Sequence, residues 1–513
     1  VSKGHIERVP VESAYTLHEY ARSAHLSGPV HDLRQEAQTA APVLKGRRVI
    51  MLNSTARGGG VAEMMPRLVC MLTELGVPTE WWTMGADEPA FFEFTKKIHN
   101  MIHGSGSPEI SAEARDTYDR VSRSVANVLR RELSPDDILV VHDPQPAGAG
   151  AELAAAGQAA VWRCHIGLDE DNEQTDAAWG FLEPYITGYQ HCVFTAVEYV
   201  PRYLSSTISI IPPGIDPFGH KNRDLSVQEI TGILCNGGLA SSPPLTVTPA
   251  FEHQAKRLQP DGTWGPPTSP EEMDLIHRPV VTQVSRWDRL KGWSGLLNGF
   301  VRLKRELAER TRNDARHHRR LQLLRLVLAG PEPEAVQDDP EAQEVLQELT
   351  EAYVALEPEL QKDVAFISLP MASRKYNALL VNALQRCSSV VVQNSLREGF
   401  GLTATEAMWK RLRVVGTQAC GLRQQIRDGI DGRLVDNPED PANVAEVLDQ
   451  VLRMSRERTP MVTCAQRRVY DEFLVFRQVS RWLRVLTREV GGPGHPSSVR
   501  EPEASTAARR STR

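Results

Sequence analysis

Several large classes of protein are excluded by what this chain has little of. Its 513 residues hold seven cysteines, Cys70, Cys164, Cys192, Cys235, Cys387, Cys420 and Cys464, with no Cys-x-x-Cys pair among them. That scatter argues against a zinc ribbon or a disulfide frame and fits the reduced, mostly buried thiols of a cytosolic protein. Positive charge is not in excess: the formal net charge is -6, which gives no reason to expect nucleic acid as a partner, although a local basic pocket for phosphate is compatible with it. No uninterrupted apolar run reaches the ~18 residues of a membrane span, and no basic-plus-apolar leader opens the sequence, so neither membrane insertion nor secretion is expected. No repeat of solenoid period occurs. What is there is 41% apolar and 24% charged, the balance of a soluble globular enzyme. The chain is too long for one ordinary core, so two large domains are the default.

Short apolar runs ending in polar loops recur along the chain. Val49-Ile50-Met51-Leu52 leads to Asn53 and then Arg57-Gly58-Gly59-Gly60, after which Val61, Met64, Met65, Leu68, Leu72 and Leu75 follow a helical period. Ile138–Val141 before His142-Asp143, Ala160–Cys164 before His165, and Cys192–Thr195 repeat the pattern. A second series comprises Val280–Ser285, Leu326–Gly330, Val364–Ile367, Val390–Gln393 and Val414–Gly416. Such runs alternating with helical stretches predict parallel α/β sheets covered on both faces. Residues 1–45 read as an N-terminal arm or short helix, 46–215 as a first Rossmann-like domain and 216–468 as a second. Residues 469–490 read as a further amphipathic helix, and 491–513 as a disordered tail. Within the second domain, 239–277 is rich in Pro, Gly, Ser and Thr, with Pro260-Asp261-Gly262 as a turn signal, and reads as a long mobile surface insertion.

The most informative stretch is Arg397-Glu398-Gly399-Phe400-Gly401-Leu402-Thr403-Ala404-Thr405-Glu406. It sets two carboxylates eight residues apart across a glycine-containing turn that opens into a helix, whose free N-terminal amides can face a phosphate. Alone, a Gly-x-Gly before a helix is often only a tight connection. Arg286 and Lys291 follow the first strand of the second series, at a carboxyl edge where ligands bind in open α/β folds. A fixed guanidinium fork and a mobile ammonium suit a diphosphate, though a solvated basic loop is the ordinary alternative. His142 and His165 each close a buried strand, and a structural histidine is as good a reading of the spacing as a hydroxyl contact.

This pattern resembles the paired-glutamate motif of retaining glycosyltransferases of the glycogen-synthase-like superfamily (glycosyltransferase family 4), and the run Asn377 to Val435 resembles its trehalose synthase branch. The resemblance covers about residues 45–235 and 278–470. It implies a GT-B fold, two Rossmann-like domains facing a cleft with a C-terminal crossover helix. It further implies that Arg286 and Lys291 neutralise the donor phosphates, that Glu398 holds the transferred hexose, and that Glu406 holds the ribose. The main chain of Gly399, Phe400, Gly401 and Leu402 would complete the diphosphate cradle. Gly59 and Gly60 would bring backbone amides to the donor from the first domain, with Arg57, His142, Asp143 and His165 as sugar contacts, and Lys221 and Asn222 structural near the hinge. Two departures stand out: the basic segment Ser373-Arg374-Lys375, where the branch usually carries acid, and the insertion.

The function the resemblance implies is transfer of glucose from UDP-, ADP- or GDP-glucose to glucose, forming trehalose, with sugars as partners, no metal and no bound cofactor; a homodimer is left open. Trehalose phosphorylase is the nearest alternative, and a catalytically silent sugar-binding or scaffolding protein a more distant one. A dehydrogenase is disfavoured, because Gly58-Gly59-Gly60 lacks dinucleotide-fingerprint spacing.

Overall fold

In the computed structural model, the residues described are 4–12, 15–56, 59–204, 208–240, 251–266, 275–332, 340–454 and 460–489. Arg57, Gly58 and the tail 491–513 lie outside them.

Contiguous apolar strands need cover on both sides, and they receive it. The first sheet comprises β1 (Gly4–Val9), β2 (Val49–Asn53), β3 (Thr79–Ala86), β4 (Ile138–His142), β5 (Ala159–Cys164), β6 (His191–Phe194) and β7 (Ile208–Ile210), in the order β1-β3-β2-β4-β5-β6-β7. All neighbours are parallel except β1, which runs antiparallel to β3. Successive side chains alternate faces: Val49, Met51, Ile138 and Val140 enter one core, while Ile50, Leu52, Leu139 and Val141 enter the other.

The second sheet comprises β8 (Lys256–Leu258), β9 (Trp264–Gly265), β10 (Val280–Val284), β11 (Arg325–Pro331), β12 (Val364–Leu369), β13 (Val390–Val392), β14 (Arg413–Thr417) and β15 (Arg433–Val435). Its order is β15-β14-β13-β10-β11-β12-β8-β9, parallel from β15 to β12. Leu326 and Leu328 face one core, Val327 and Ala329 the other. The two-sheet α/β architecture expected from the sequence is therefore present.

Four local expectations need correction. The arm is not merely polar: Gly4–Val9 is an edge strand, and Ser27–Leu44 is an eighteen-residue helix burying Val30, Leu33, Ala37, Ala40 and Leu44. Thr79–Ala86 is a strand with no apolar run to mark it, because polar residues interrupt it and its bulk is Trp81 and Trp82. The described part of the insertion is not a loose loop. Lys256–Leu258 adds antiparallel to β12, and a hairpin around Asp261 carries the chain to β9. The crossover is not one helix: Pro460–Glu472 and Val475–Arg484 are separated at Phe473-Leu474, because the chain there bonds to the interdomain linker. The Ile215 amide donates to the Phe473 carbonyl at 2.9 Å, and the Val475 amide to the Ile215 carbonyl at 2.9 Å. Beyond that joint, Val475–Arg484 packs on Ser27–Leu44, with Arg484 and Glu36 paired at 2.7 Å.

Candidate functional site

The site begins with two loops stitched together at the carboxyl ends of β10 and β13. After β10, Asp288 Oδ1 accepts the Leu290 amide at 2.8 Å, starting a short turn at Arg289–Lys291. Gly292 ends it at φ 62°, where any Cβ would lie 2.0 Å from the Asn394 carbonyl oxygen, so only glycine lets the loops meet. Asn394 Nδ2 donates to the Gly292 carbonyl at 2.9 Å, Gln283 Nε2 donates to the Lys291 carbonyl at 2.8 Å, and the Leu396 amide donates to the Leu290 carbonyl at 2.8 Å.

This stitching delivers Lys291 to Glu398. Their Nζ and Oε2 are 2.8 Å apart, with the two side chains 13% and 12% exposed. Ser395 Oγ donates to the same oxygen at 3.0 Å and Gln393 Nε2 at 3.3 Å. All three bonds fall on Oε2. Burial by itself would raise the Glu398 carboxyl, but the charge and hydrogen bond of Lys291, with help from Ser395 and Arg286, hold it below the ordinary carboxylate range. Arg286 is less tightly placed: its side chain is 75% exposed and bonded to Asp288 at 3.3 Å.

The turn after Glu398 is held from behind. The Phe400 ring is buried edge-on to Phe473 at 5.6 Å, so only its backbone can serve a ligand. Gln425 Nε2 donates to the carbonyls of Phe400, Gly401 and Gly421, and the Gly421 amide donates to the Glu398 carbonyl at 3.0 Å. Gly401, at φ 87°, caps the helix Leu402–Trp409. That helix buries Glu406, which faces two ammonium groups, Lys410 one turn on and Lys221 from the linker. Burial pushes Lys410 down despite Glu406, and its Nζ donates to Gln385. Lys221 is raised against its own burial by Glu406 and Glu63, and its Nζ lies 3.2 Å from the Glu63 carboxylate on the first domain. Asn222 is a hinge brace, its Nδ2 donating to the Asp216 carbonyl at 3.0 Å.

On the first domain, Gly59 and Gly60 open the helix Gly59–Glu74, and a Cβ on Gly60 would meet only open space. His142, Asp143 and His165 are brought together. His142 Nδ1 and His165 Nε2 share a hydrogen bond of 2.9 Å, and His142 Nε2 lies 3.5 Å from Met51 Sδ. At 1% exposure with both nitrogens engaged, His142 supports His165 rather than reaching a ligand. Burial pushes His142 down to about 3 and His165 well below its usual value, so both rings stay neutral. Asp143 adopts φ 66°, its Oδ1 accepts the His165 amide at 2.9 Å, and burial pushes its carboxyl up to about 6. Arg163, also buried, donates to Thr195 Oγ1 and the Ile211 carbonyl and is structural.

The loop after His165 reaches the second domain. Asp169 pairs with Arg423 at 2.6 Å, Glu198 with the same guanidinium at 3.6 Å, and Glu170 with Arg397 at 3.8 Å. Tyr199 Oη donates to the Glu398 and Gly399 carbonyls at 3.2 and 2.9 Å. Asp169-Glu170-Asp171 has the Asp-x-Asp spacing, and Asp171 pairs with Arg202, so each of the three acids faces an arginine. Missed from the sequence were His99 and His103, which end the helix Pro89–Ile102 in the same cleft; their signal was a four-residue histidine spacing after Lys96-Lys97.

Two family profiles match the chain: "Trehalose synthase, N-terminal domain" over residues 51–201 and "Glycosyl transferases group 1" over 275–468. The trehalose synthase of Pyrococcus horikoshii is 32% identical over 461 residues, covering 89% of this chain and 93% of that protein. The trehalose synthase of Rubrobacter xylanophilus is 32% identical over 421 residues, covering 81% and 85%. A trehalose phosphorylase of Pleurotus pulmonarius is 24% identical over 464 residues, 85% of this chain but 56% of its own length. In fold, a UDP-forming α,α-trehalose-phosphate synthase from Burkholderia xenovorans superposes with a TM-score of 0.60 at 18% identity, covering 86% of this chain and 98% of that one. An E. coli trehalose-6-phosphate structure bound with UDP-2-fluoro glucose gives 0.59 at 17% identity, covering 87% and 99%.

Proposed function

Since the chain belongs to the trehalose synthase family and is a glycosyltransferase of the GT-B fold, we propose that it moves glucose from a nucleotide-activated glucose to free glucose, with retention at the anomeric carbon. The observation that carries this reading is the half-buried Lys291–Glu398 pair at the mouth of the Leu402 helix. In the reaction, the bond between the glucosyl carbon and the β-phosphate oxygen breaks. The acceptor hydroxyl attacks from the same face, and its proton passes to the departing phosphate. Lys291, Arg286 and the amides at the helix start stabilise the charge that grows on the diphosphate. Glu398, with Oε2 tied to Lys291, presents its other oxygen to a glucosyl hydroxyl. Glu406 takes the ribose, with Lys221 and Lys410 balancing its charge. A double displacement through a carboxylate would need two carboxylates about 5 Å apart astride the bond. Glu398 is tied to Lys291, and the two glutamates are assigned to separate donor hydroxyls, the hexose's and the ribose's, which supports same-face attack instead.

Phosphorolysis of trehalose is the second reading, favoured by the likeness to the Pleurotus pulmonarius phosphorylase along 85% of the chain. Product analysis by NMR separates the two. The protein is incubated with UDP-, ADP- or GDP-glucose, with and without glucose, and separately with trehalose and inorganic phosphate. Formation of α,α-trehalose with release of one nucleoside diphosphate supports the synthase and names the donor. Glucose 1-phosphate from trehalose and phosphate, without transfer from any nucleotide sugar, overturns it.

A further inference from the structure

The helix Pro89–Ile102 delivers His99 in its last turn and His103 just after it. Four residues apart, they share one face, and their rings lie 5.1 Å apart at 59°. That face looks across the cleft onto the turn that follows Glu398: His103 Cε1 would be 4.0 Å from a Cβ built on Gly399. The position is fixed from the far side, since Arg397 Nη1 donates to the His103 carbonyl at 2.9 Å and to that of Gly104 at 3.4 Å. His103 is thus registered against the residue immediately before Glu398.

The ring's surroundings are those of the candidate site. Burial, followed by Lys291, with Glu398 opposing and Arg286 and Arg397 adding, pushes His103 down to about 4. Burial and the neighbouring His103, Arg286 and Lys96 push His99 down to about 3. Near neutral pH each ring is uncharged and offers one N–H donor and one acceptor nitrogen. Among the described residues neither imidazole has a hydrogen-bond partner. A pair of neutral imidazoles with open bonding capacity, within the electrostatic reach of a carboxylate and an ammonium, suits a polyhydroxylated ligand better than an anion.

We propose that His103, steadied by His99, binds a sugar hydroxyl from the first-domain wall of the cleft, opposite Glu398, and so helps to select the sugar held there. The hydroxyl belongs either to the glucosyl group in transit or to the acceptor glucose, because both meet between these walls. His99 is a positioning residue. The inference rests on the sugar-transferring function proposed above.

The parent, H103A, H103Q and H99A are compared using donor and acceptor series in which one glucose hydroxyl at a time is removed. H103A is expected to lose at least tenfold in kcat/KM with an unchanged melting temperature, and H103Q, which keeps a donor and an acceptor, to recover most of it. One deoxy analogue is expected to cost the parent a similar factor and H103A almost nothing more. A coupled donor analogue assigns the hydroxyl to the transferred glucose, a coupled acceptor analogue to the acceptor. Unaltered kcat/KM in H103A, or losses that multiply for every analogue, overturns the proposal. A second readout needs no turnover: in imidazole nitrogen spectra, glucose or trehalose should shift the His103 resonances. If the parent transfers no glucose, the functional reading fails by itself; absence of a shift at saturating glucose and trehalose overturns the His103 assignment whatever the transfer assay shows.

Discussion

Replacing Lys291 by methionine removes the ammonium and keeps the length of the side chain. At 2.8 Å, the gross attraction between the two charges is about 6 kcal/mol for an effective dielectric of 20, most of it offset by the cost of taking both ions out of water. The loss on breaking the pair is set by the carboxylate left behind. Fully buried pairs lose ~3–5 kcal/mol when one partner is removed. Here both side chains keep about an eighth of their exposure, and Ser395 and Gln393 still donate to Glu398, so we expect about 2–3 kcal/mol. In a domain of this size that lowers the melting midpoint by about 4–6 °C, followed by tryptophan fluorescence. Turnover should fall further than stability explains, by about 100-fold or more, the usual effect of losing one donor to a developing oxyanion. Adding Glu398→Gln removes the orphaned charge. The double variant should regain part of the stability and none of the activity. Turnover within twofold of the parent in K291M, measured as nucleotide release at saturating substrates, would refute the phosphate role and leave Lys291 as a structural partner of Glu398.

Other perturbations test the surrounding parts. R423E reverses the charge facing Asp169 and Glu198; the exposed pairs are worth about 1 kcal/mol, enough to open the cleft, raise the radius of gyration in solution scattering and increase the donor KM several-fold. G421A puts a Cβ 2.4 Å from the Phe400 Cα, so the turn must shift, and calorimetry should show donor binding at least tenfold weaker. E406Q should weaken binding of the nucleoside diphosphate about tenfold, and unaltered affinity would return Glu406 to a purely structural role. Because Glu398 is held below its ordinary value of 4.5, its contribution to stability is fully present above that value and is lost as pH falls through the lower folded one. Acid melting curves of K291M/E398Q should therefore be flatter than those of the parent below about pH 4.5.

The strands that could be read directly, such as Val49–Leu52 and Leu326–Gly330, are central and parallel, so both faces are apolar and the run is unbroken. Gly4–Val9 and Lys256–Leu258 carry no such run because they lie near or at sheet edges, where one side of the ladder is open or short and polar residues are tolerated. Val30, Leu33, Ala37, Ala40 and Leu44 carried a helical period in plain view within a stretch judged on its polarity. The turn and helix around Gly399–Glu406 were legible as local chemistry. The pairing of Lys291 with Glu398 was not, since it depends on Gly292 fitting beneath Asn394 across a long sequence separation. The spacing of His99 and His103 was visible, but the placing of His103 against Arg397 and Gly399 was not, because it too depends on contacts across a long sequence separation.

The joint at Ile215 and Leu474 sets an order on biosynthesis. The helix Ser27–Leu44 and the first sheet emerge early, yet the core they share also contains Leu474, Phe476, Val479, Trp482 and Leu483 from near the far end. At about 5–20 residues per second, the ribosome takes tens of seconds to make what lies between, and through that interval the apolar stripe of Val30, Leu33 and Leu44 lacks the cover that Val475–Arg484 gives it. The first unit begun is among the last to be finished, so a chain truncated before Pro460 forfeits the closing face of its opening half as well as two terminal helices.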